Sequence, residues 1–299
     1  MKKISYLVPF LAIIGLSACT EDAVVPDLQD VTVPFMPAPD DLSEEAQIRR
    51  EFHDRYGSYL LFNDTLQYRE TGNDANGDLH YFTEVLQLEY NVGMNVSAAE
   101  SFTYTLLNDM ESKRKALQYL EEYILIHFSG KIKPFSWLLV DKISRKHTNN
   151  ISSPYAATGE RAIVIACNVL FTLNEAQKEQ FTAQVMNTII SKPVNDNIEM
   201  FDNFLSVSEA YYNGTFTDPG STTENMKILN EAGFICRGRS YGRDANGIYP
   251  DQELDLSAFA RKVIANDAEQ VQKDYQDYPL VLQKCDLMRT TLKTLGYVE

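Results

Sequence analysis

The segment from Thr172 to Tyr212 constrains this chain more than any other. Thr172 and Glu175 have the spacing of a capping box, in which the cap hydroxyl accepts from the N3 amide and the acid reaches back. Beyond them Phe181, Val185, Thr188 and Ile189 recur at helical intervals. That period predicts an amphipathic helix running to about Lys192, with one stripe buried. Pro193 lacks the N–H that would continue the ladder, and its ring disfavours helical geometry just before it, at a cost of about 3 kcal/mol. The helix is therefore expected to stop there, ahead of an aromatic-rich segment ending at Tyr211 and Tyr212.

Other segments supply partners for that stripe. Ser43 to Tyr56 reads as a capped helix closed by Gly57, and Tyr59 to Phe62 as a short strand. Gly72 to Asp78 is a turn cluster, and Leu79 to Val92 suits strand or helix equally. Ser97 and Glu100 form a second capping-box pattern, predicting a helix of about a dozen residues. A further helix is expected over Glu111–Phe128. The apolar runs Lys133–Val140 and Ala162–Cys167 predict buried strands, with a loop over His147–Thr158. Asn213–Ser221 and Arg237–Asp251 read as loops. Helices are expected over Thr222–Ala232, Leu254–Ala265 and Pro279–Leu295. The fold class is mixed α/β (α+β), helix-rich, with a small sheet.

The N-terminus addresses the chain to an envelope. Lys2 and Lys3 precede an apolar run from Leu7 to Leu16, about ten residues and too short to span a bilayer. Leu16-Ser17-Ala18-Cys19 then reads as a lipobox, with the Cys19 thiol carrying the lipid; an ordinary cleaved signal with a chance cysteine is the plainer alternative. Residues 1–18 are thus read as a signal peptide and residues 19–42 as an acidic, Pro-rich tether, about 3.1 Å per residue where it is polyproline-like. Residues 43–299 form the domain. Glu21 and Asp22, close behind Cys19, resemble the surface-export signal of some Gram-negative lipoproteins. The expected location is the outer membrane, lipid-anchored and facing outward. No other apolar run approaches about 18 residues, so no transmembrane helix is expected.

Net charge is −15. Such a balance argues against nucleic acid, whose affinity rests on Lys and Arg neutralising phosphates. With Cys19 assigned to lipid, Cys167, Cys236 and Cys285 remain. Three is odd and none stands in a CxxC pair, so buried thiols are expected, with one disulfide left open.

Metal chemistry finds no local motif. The four histidines are His53, His80, His127 and His147, and no two lie four residues apart. A zincin needs two His one helical turn apart with a Glu between them. A zinc site assembled from distant residues and a calcium site are left open. Gly242 to Glu253 fits an EF-hand loop at Asp244, Asn246, Gly247 and Glu253, but Gly242 stands where the first ligand belongs, and Asn-Gly also suits a plain turn. No GxSxG elbow is present.

The order of elements resembles the substrate import-associated zinc metallohydrolase lipoproteins, a lipid-anchored, zincin-like metallopeptidase family. The resemblance is carried by the lipobox, the acidic tether, and Glu51-Phe52-His53-Asp54-Arg55-Tyr56-Gly57 entering a strand. The Pro134–Val140 and Ile163–Asn168 strands follow, then the long helix, Phe204 through Tyr212, Gly233-Phe234-Ile235 and the two final helices. In that family the long helix carries HExxH. The matching positions here are Thr188, Ile189, Ile190, Ser191 and Lys192, and no His or Glu occurs between Phe181 and Glu199. The resemblance therefore implies a zincin-like fold whose metal has been lost. It also implies a nutrient-import setting, beside a TonB-dependent transporter and its substrate-binding lipoprotein.

The resulting expectation is a non-enzymatic accessory without a cofactor that binds a peptide or glycan, or docks on the transporter. An active zinc hydrolase with a rearranged metal site and a dedicated glycan binder are the alternatives. Candidate ligand contacts are Tyr211, Tyr212, Arg237, Arg239, Tyr241 and Arg243, aromatic or basic residues in or beside loops; scattered surface Tyr and a solvated basic turn are the plainer reading. The only Trp, Trp137, lies in an apolar strand and is expected in the core.

Overall fold

The computed structural model describes residues 34–299, apart from 74–75, 89–99, 130–131, 133 and 149. The segment expected as a signal peptide, Cys19 and the expected tether up to residue 33 lie outside the described residues.

Alternation of side chains explains the centre of the fold. Strand β1 (Tyr59–Leu61) is followed by the hairpin of β2 (Thr65–Asn73) and β3 (Leu79–Val85), and then by β4 (Glu100–Thr105). Helix α2 (Met110–Tyr119) continues as a π turn over Leu120–Ile124 and a 3₁₀ turn over Leu125–His127. Five strands come next: β5 (Ser136–Val140), β6 (Lys142–His147), β7 (Asn150–Ser152), β8 (Ala156–Thr158) and β9 (Ile163–Ala166). The main sheet has the order β1-β5-β9-β8, the first three parallel and β8 antiparallel at the edge. Both faces are buried. Leu60, Trp137, Leu139, Ile163 and Ile165 point to one core, and Leu61, Leu138, Val140, Val164 and Ala166 to another. A strand period of two sorts the same apolar run onto two faces, which is why these strands read as continuous apolar stretches.

Helices cover the first face. They are α1 (Glu44–Tyr56), α2, and the long α3 (Glu175–Asp196), followed by α4 (Asp202–Ser206) and α5 (Thr222–Glu231). A two-residue hairpin of β10 (Arg239–Ser240) and β11 (Arg243–Asp244) precedes α6 (Gln252–Ala265), α7 (Ala268–Tyr275) and α8 (Pro279–Leu295). The second face is covered by the antiparallel β4-β6-β7 sheet, through Phe102, Tyr104 and Ile143. The chain is thus mixed α/β with more helix than strand. Among the described residues no helix is long and apolar enough to cross a membrane.

Several expectations are corrected. The long helix does not stop at Pro193: it runs on to Asp196, because Ile189, Ile190 and Val194 are all buried and their packing outweighs the lost hydrogen bond. Its cap is Asn174, whose side chain accepts from Gln177 N while Gln177 reaches back; Thr172 instead donates to Val169 O. Glu100 opens strand β4 where a helix was expected; Ser97 to Ala99 lie outside the described residues. The alternation of Phe102 and Tyr104 with Thr103 and Thr105 fits a half-buried strand, and pairing with β6 holds it. The expected loop over 147–158 contains β7 and β8, and helix α7 has no counterpart in the sequence reading. Phe35, placed in the tether, is 2% exposed and packs against Tyr59 and Phe135, so it belongs to the folded body.

Candidate functional site

Strand β8 ends the main sheet and has no strand paired to its outer edge among the described residues. In the antiparallel register Ala157 stands opposite Val164. Gly159 N donates to Ala162 O, and Ala166 N donates to Tyr155 O. Residues 155, 157 and 159 therefore face β9, and Ala156 and Thr158 turn their N–H and C=O groups outward. Among the described residues no backbone group pairs with that outer edge.

Helix α3 lies alongside. The Thr158 hydroxyl donates to Thr188 O at 3.3 Å. Between β8, α3 and the β4-β6 sheet runs a groove of about 400 Å³, walled by Phe102, Arg145, Thr188, Ser191 and Asn195. Beyond Lys192 opens a second cleft of about 590 Å³, with an apolar wall that includes Phe135, Ile189, Met200 and Leu295. Lys192 borders both cavities. Its ammonium donates to Asp196 at 2.8 Å and pairs with Glu160 at 3.0 Å, and these two carboxylates hold it above its ordinary pKa.

Of the five positions matched to HExxH, Thr188, Ile189, Ser191 and Lys192 line these cavities and Ile190 does not. Ile189 and Ile190 are core residues. The Thr188 and Ser191 hydroxyls donate back to Gln184 O and Asn187 O in their own helix. Among the described residues no group of three His, Cys, Asp or Glu side chains stands where it could hold a metal.

The other candidates are not gathered into one surface. Tyr211 packs against Phe234 and Tyr249. Tyr212 points inward and donates to Asp255 Oδ2 at 2.6 Å. Tyr241 is fully exposed at the tip of the β10-β11 hairpin, and Arg243 is exposed beside it. The Asp244 carboxylate lies 3.6 Å from Arg237 and 3.7 Å from Arg239, and Arg237 also donates to Asn246 Oδ1 at 3.5 Å. Guanidinium groups therefore occupy the oxygens an EF-hand would turn to calcium, and Glu253 sits separately in the first turn of α6. None of these residues lines either cavity.

Sequence reasoning missed the groove because Ala-Ala-Thr carries no strand signal of its own. It also missed Asp255 and Lys284, both fully buried. Each is a charged residue within an apolar helical stripe, Asp255 one turn before Phe259 and Lys284 one turn before Met288. No family model, no curated protein and no solved structure matches this chain.

Proposed function

We propose that this protein is a non-enzymatic, zincin-like lipoprotein of the outer membrane that binds an extended peptide along β8, as an accessory of a TonB-dependent import system. The observation that carries peptide binding is the free outer edge of β8 at the floor of a groove. An incoming strand would pair its main chain with Ala156 and Thr158 and set alternate side chains into the groove, as strand-addition ligands do. The zincin-like ancestry rests on the resemblance in element order, supported by a long helix running beside a small sheet. The loss of catalysis rests on Thr188, Ile189 and Lys192 standing where His, Glu and His belong.

The test is binding of labelled random peptides of about six residues to the full chain, beside matched peptides with N-methylated backbones and soluble oligosaccharides. Binding of the first set alone supports the reading. Equal binding of the N-methylated set, or binding of oligosaccharides only, overturns it. Stoichiometric zinc in the purified protein, with chelator-sensitive peptidase activity, would overturn the non-enzymatic part.

A further inference from the structure

Lys284 Nζ lies 2.5 Å from Asp255 Oδ2, and both side chains have no exposure to solvent. Four aromatic rings enclose the ammonium. The centroids of Phe204, Phe234 and Phe259 are 4.4, 4.6 and 4.7 Å away, and that of Tyr212 is 5.8 Å away. Two further polar contacts reach the pair: Tyr212 Oη donates to Asp255 Oδ2 at 2.6 Å, and Lys284 Nζ donates to Ser208 Oγ at 3.3 Å. Asp255 Oδ1 is buried with no hydrogen-bond partner among the described residues.

An ionic pair is poorly served by this setting. Removing two charges from water costs several kcal/mol per ion, which attraction repays only when the remaining lone pairs are also satisfied. Here Oδ1 is left bare. Burial pushes the Asp255 carboxyl up and the Lys284 amine down, each toward its neutral form. An amine held against a carboxyl, with bulk water excluded, is arranged for condensation.

We propose that Lys284 and Asp255 are joined by an intramolecular isopeptide bond, formed autocatalytically inside this aromatic cage. The Nζ lone pair attacks Asp255 Cγ, the Nζ–Cγ bond forms and the Cγ–Oδ2 bond breaks. Reacting as amine and carboxyl, the pair holds two protons on nitrogen and one on oxygen; one remains on the amide nitrogen and two leave with Oδ2 as water, so no oxidant, reductant or co-reactant is required. Tyr212 is the proton relay: its hydroxyl, already on Oδ2, protonates the departing oxygen and regains a proton from nitrogen. The product amide carries no charge, which suits the unpartnered Oδ1, and its N–H retains Ser208 Oγ as acceptor. The bond ties α6 to α8 across 29 positions of sequence.

The experiment is tryptic mass spectrometry of the denatured full chain. The bond blocks cleavage after Lys284, so residues 244–261 and 274–289 are expected as one branched species, about 18 Da below the sum of the two peptides. Tyr212→Phe, which keeps the ring in the cage, is expected to lose most of that species. Lys284→Met abolishes it. A linear peptide ending at Lys284 in the wild-type digest overturns the proposal, even where a water is missing elsewhere, as at Asn246-Gly247. Full formation in Tyr212→Phe overturns the proposal as stated, because the relay would then be dispensable.

Discussion

Thr158 and Thr188 tie the edge of the sheet to the long helix through one hydrogen bond of 3.3 Å, from the Thr158 hydroxyl to the Thr188 carbonyl. The same residue, Thr158, turns its backbone N–H to the open side of β8. Two substitutions separate these roles. Thr158→Val keeps the backbone donor and removes only the hydroxyl, at about 0.5–1.5 kcal/mol of stability, and leaves peptide affinity nearly unchanged. Thr158→Pro removes the outward N–H without touching the bonds to β9, which run through residues 157 and 159; proline is tolerated on such an edge. It is expected to weaken peptide binding roughly five- to tenfold, the worth of one hydrogen bond. Equal affinities for the two variants would remove β8 as the binding edge.

Pro193 sits inside a helix that packing has forced to continue. Its missing N–H leaves the Ile189 carbonyl without the usual helical donor, and its ring crowds that carbonyl. Pro193→Ala is expected to raise stability by about 1–3 kcal/mol, read as a higher denaturant midpoint at unchanged slope. A lower midpoint would mean that the ring's contacts in the 590 Å³ cleft matter more than the helix it interrupts.

What was legible in the sequence was whatever is fixed within about twenty residues. Ser43 caps α1 and Gly57 closes it in the left-handed conformation, as the local signals require. The runs around Trp137 and Val164 are buried because nothing else can be done with them. What pairing decides was not legible. Glu100 to Thr105 is a strand because β6 is beside it, and Ala156 to Thr158 is a strand only because β9 is. The Pro193 argument was sound in sign and too small in size: a local penalty of about 3 kcal/mol is offset by burying Ile189, Ile190 and Val194, each worth roughly 1.5–3 kcal/mol. The candidate site suffered most, since a groove edge has no composition, and Tyr212 and Lys284 gave no sign of meeting across the core.

Phe35 is part of the folded body. Its ring is stacked under the Arg161 guanidinium at 4.7 Å and meets Phe135 edge-on at 4.9 Å, while Arg49 donates to its carbonyl at 3.0 Å. A chain beginning at Ser43 is expected to be less stable by about 3–5 kcal/mol than one beginning at Pro34, and Phe35→Ala in the longer chain should reproduce most of that loss. Coincident chemical melts for the two lengths would return residues 34–42 to the tether.

The three cysteines among the described residues differ in exposure and are alike in having raised thiol pKa values. Cys167 and Cys285 are buried and Cys236 is partly so. Burial pushes the Cys236 and Cys285 thiols up to about 12, and raises Cys167 as well. The thiolate is the nucleophile, so at pH near 8 almost none is present. Iodoacetamide should leave all three unmodified in the folded protein and label all three in denaturant, as read by mass. Rapid native labelling of Cys167 or Cys285 would contradict the packing of β9 or α8.

Asp274 couples α6 to α7 by accepting from Lys262 and from Gln270, each at 2.6 Å. The Lys262 hydrogen bond is the larger influence, and together they hold the carboxyl below its ordinary value of 3.8. A carboxyl whose folded pKa is depressed contributes stability that is present above the unfolded value and lost as pH falls through the folded one. Asp274→Asn should therefore melt below wild type at pH 7, and the gap should close as the pH drops below 3.8. Because the pair lies near the surface, salt near 1 M should narrow the same gap at neutral pH. A gap that stays constant from neutral to acid pH would show that Asp274 acts through shape and hydrogen bonding to Gln270, with no contribution from its charge.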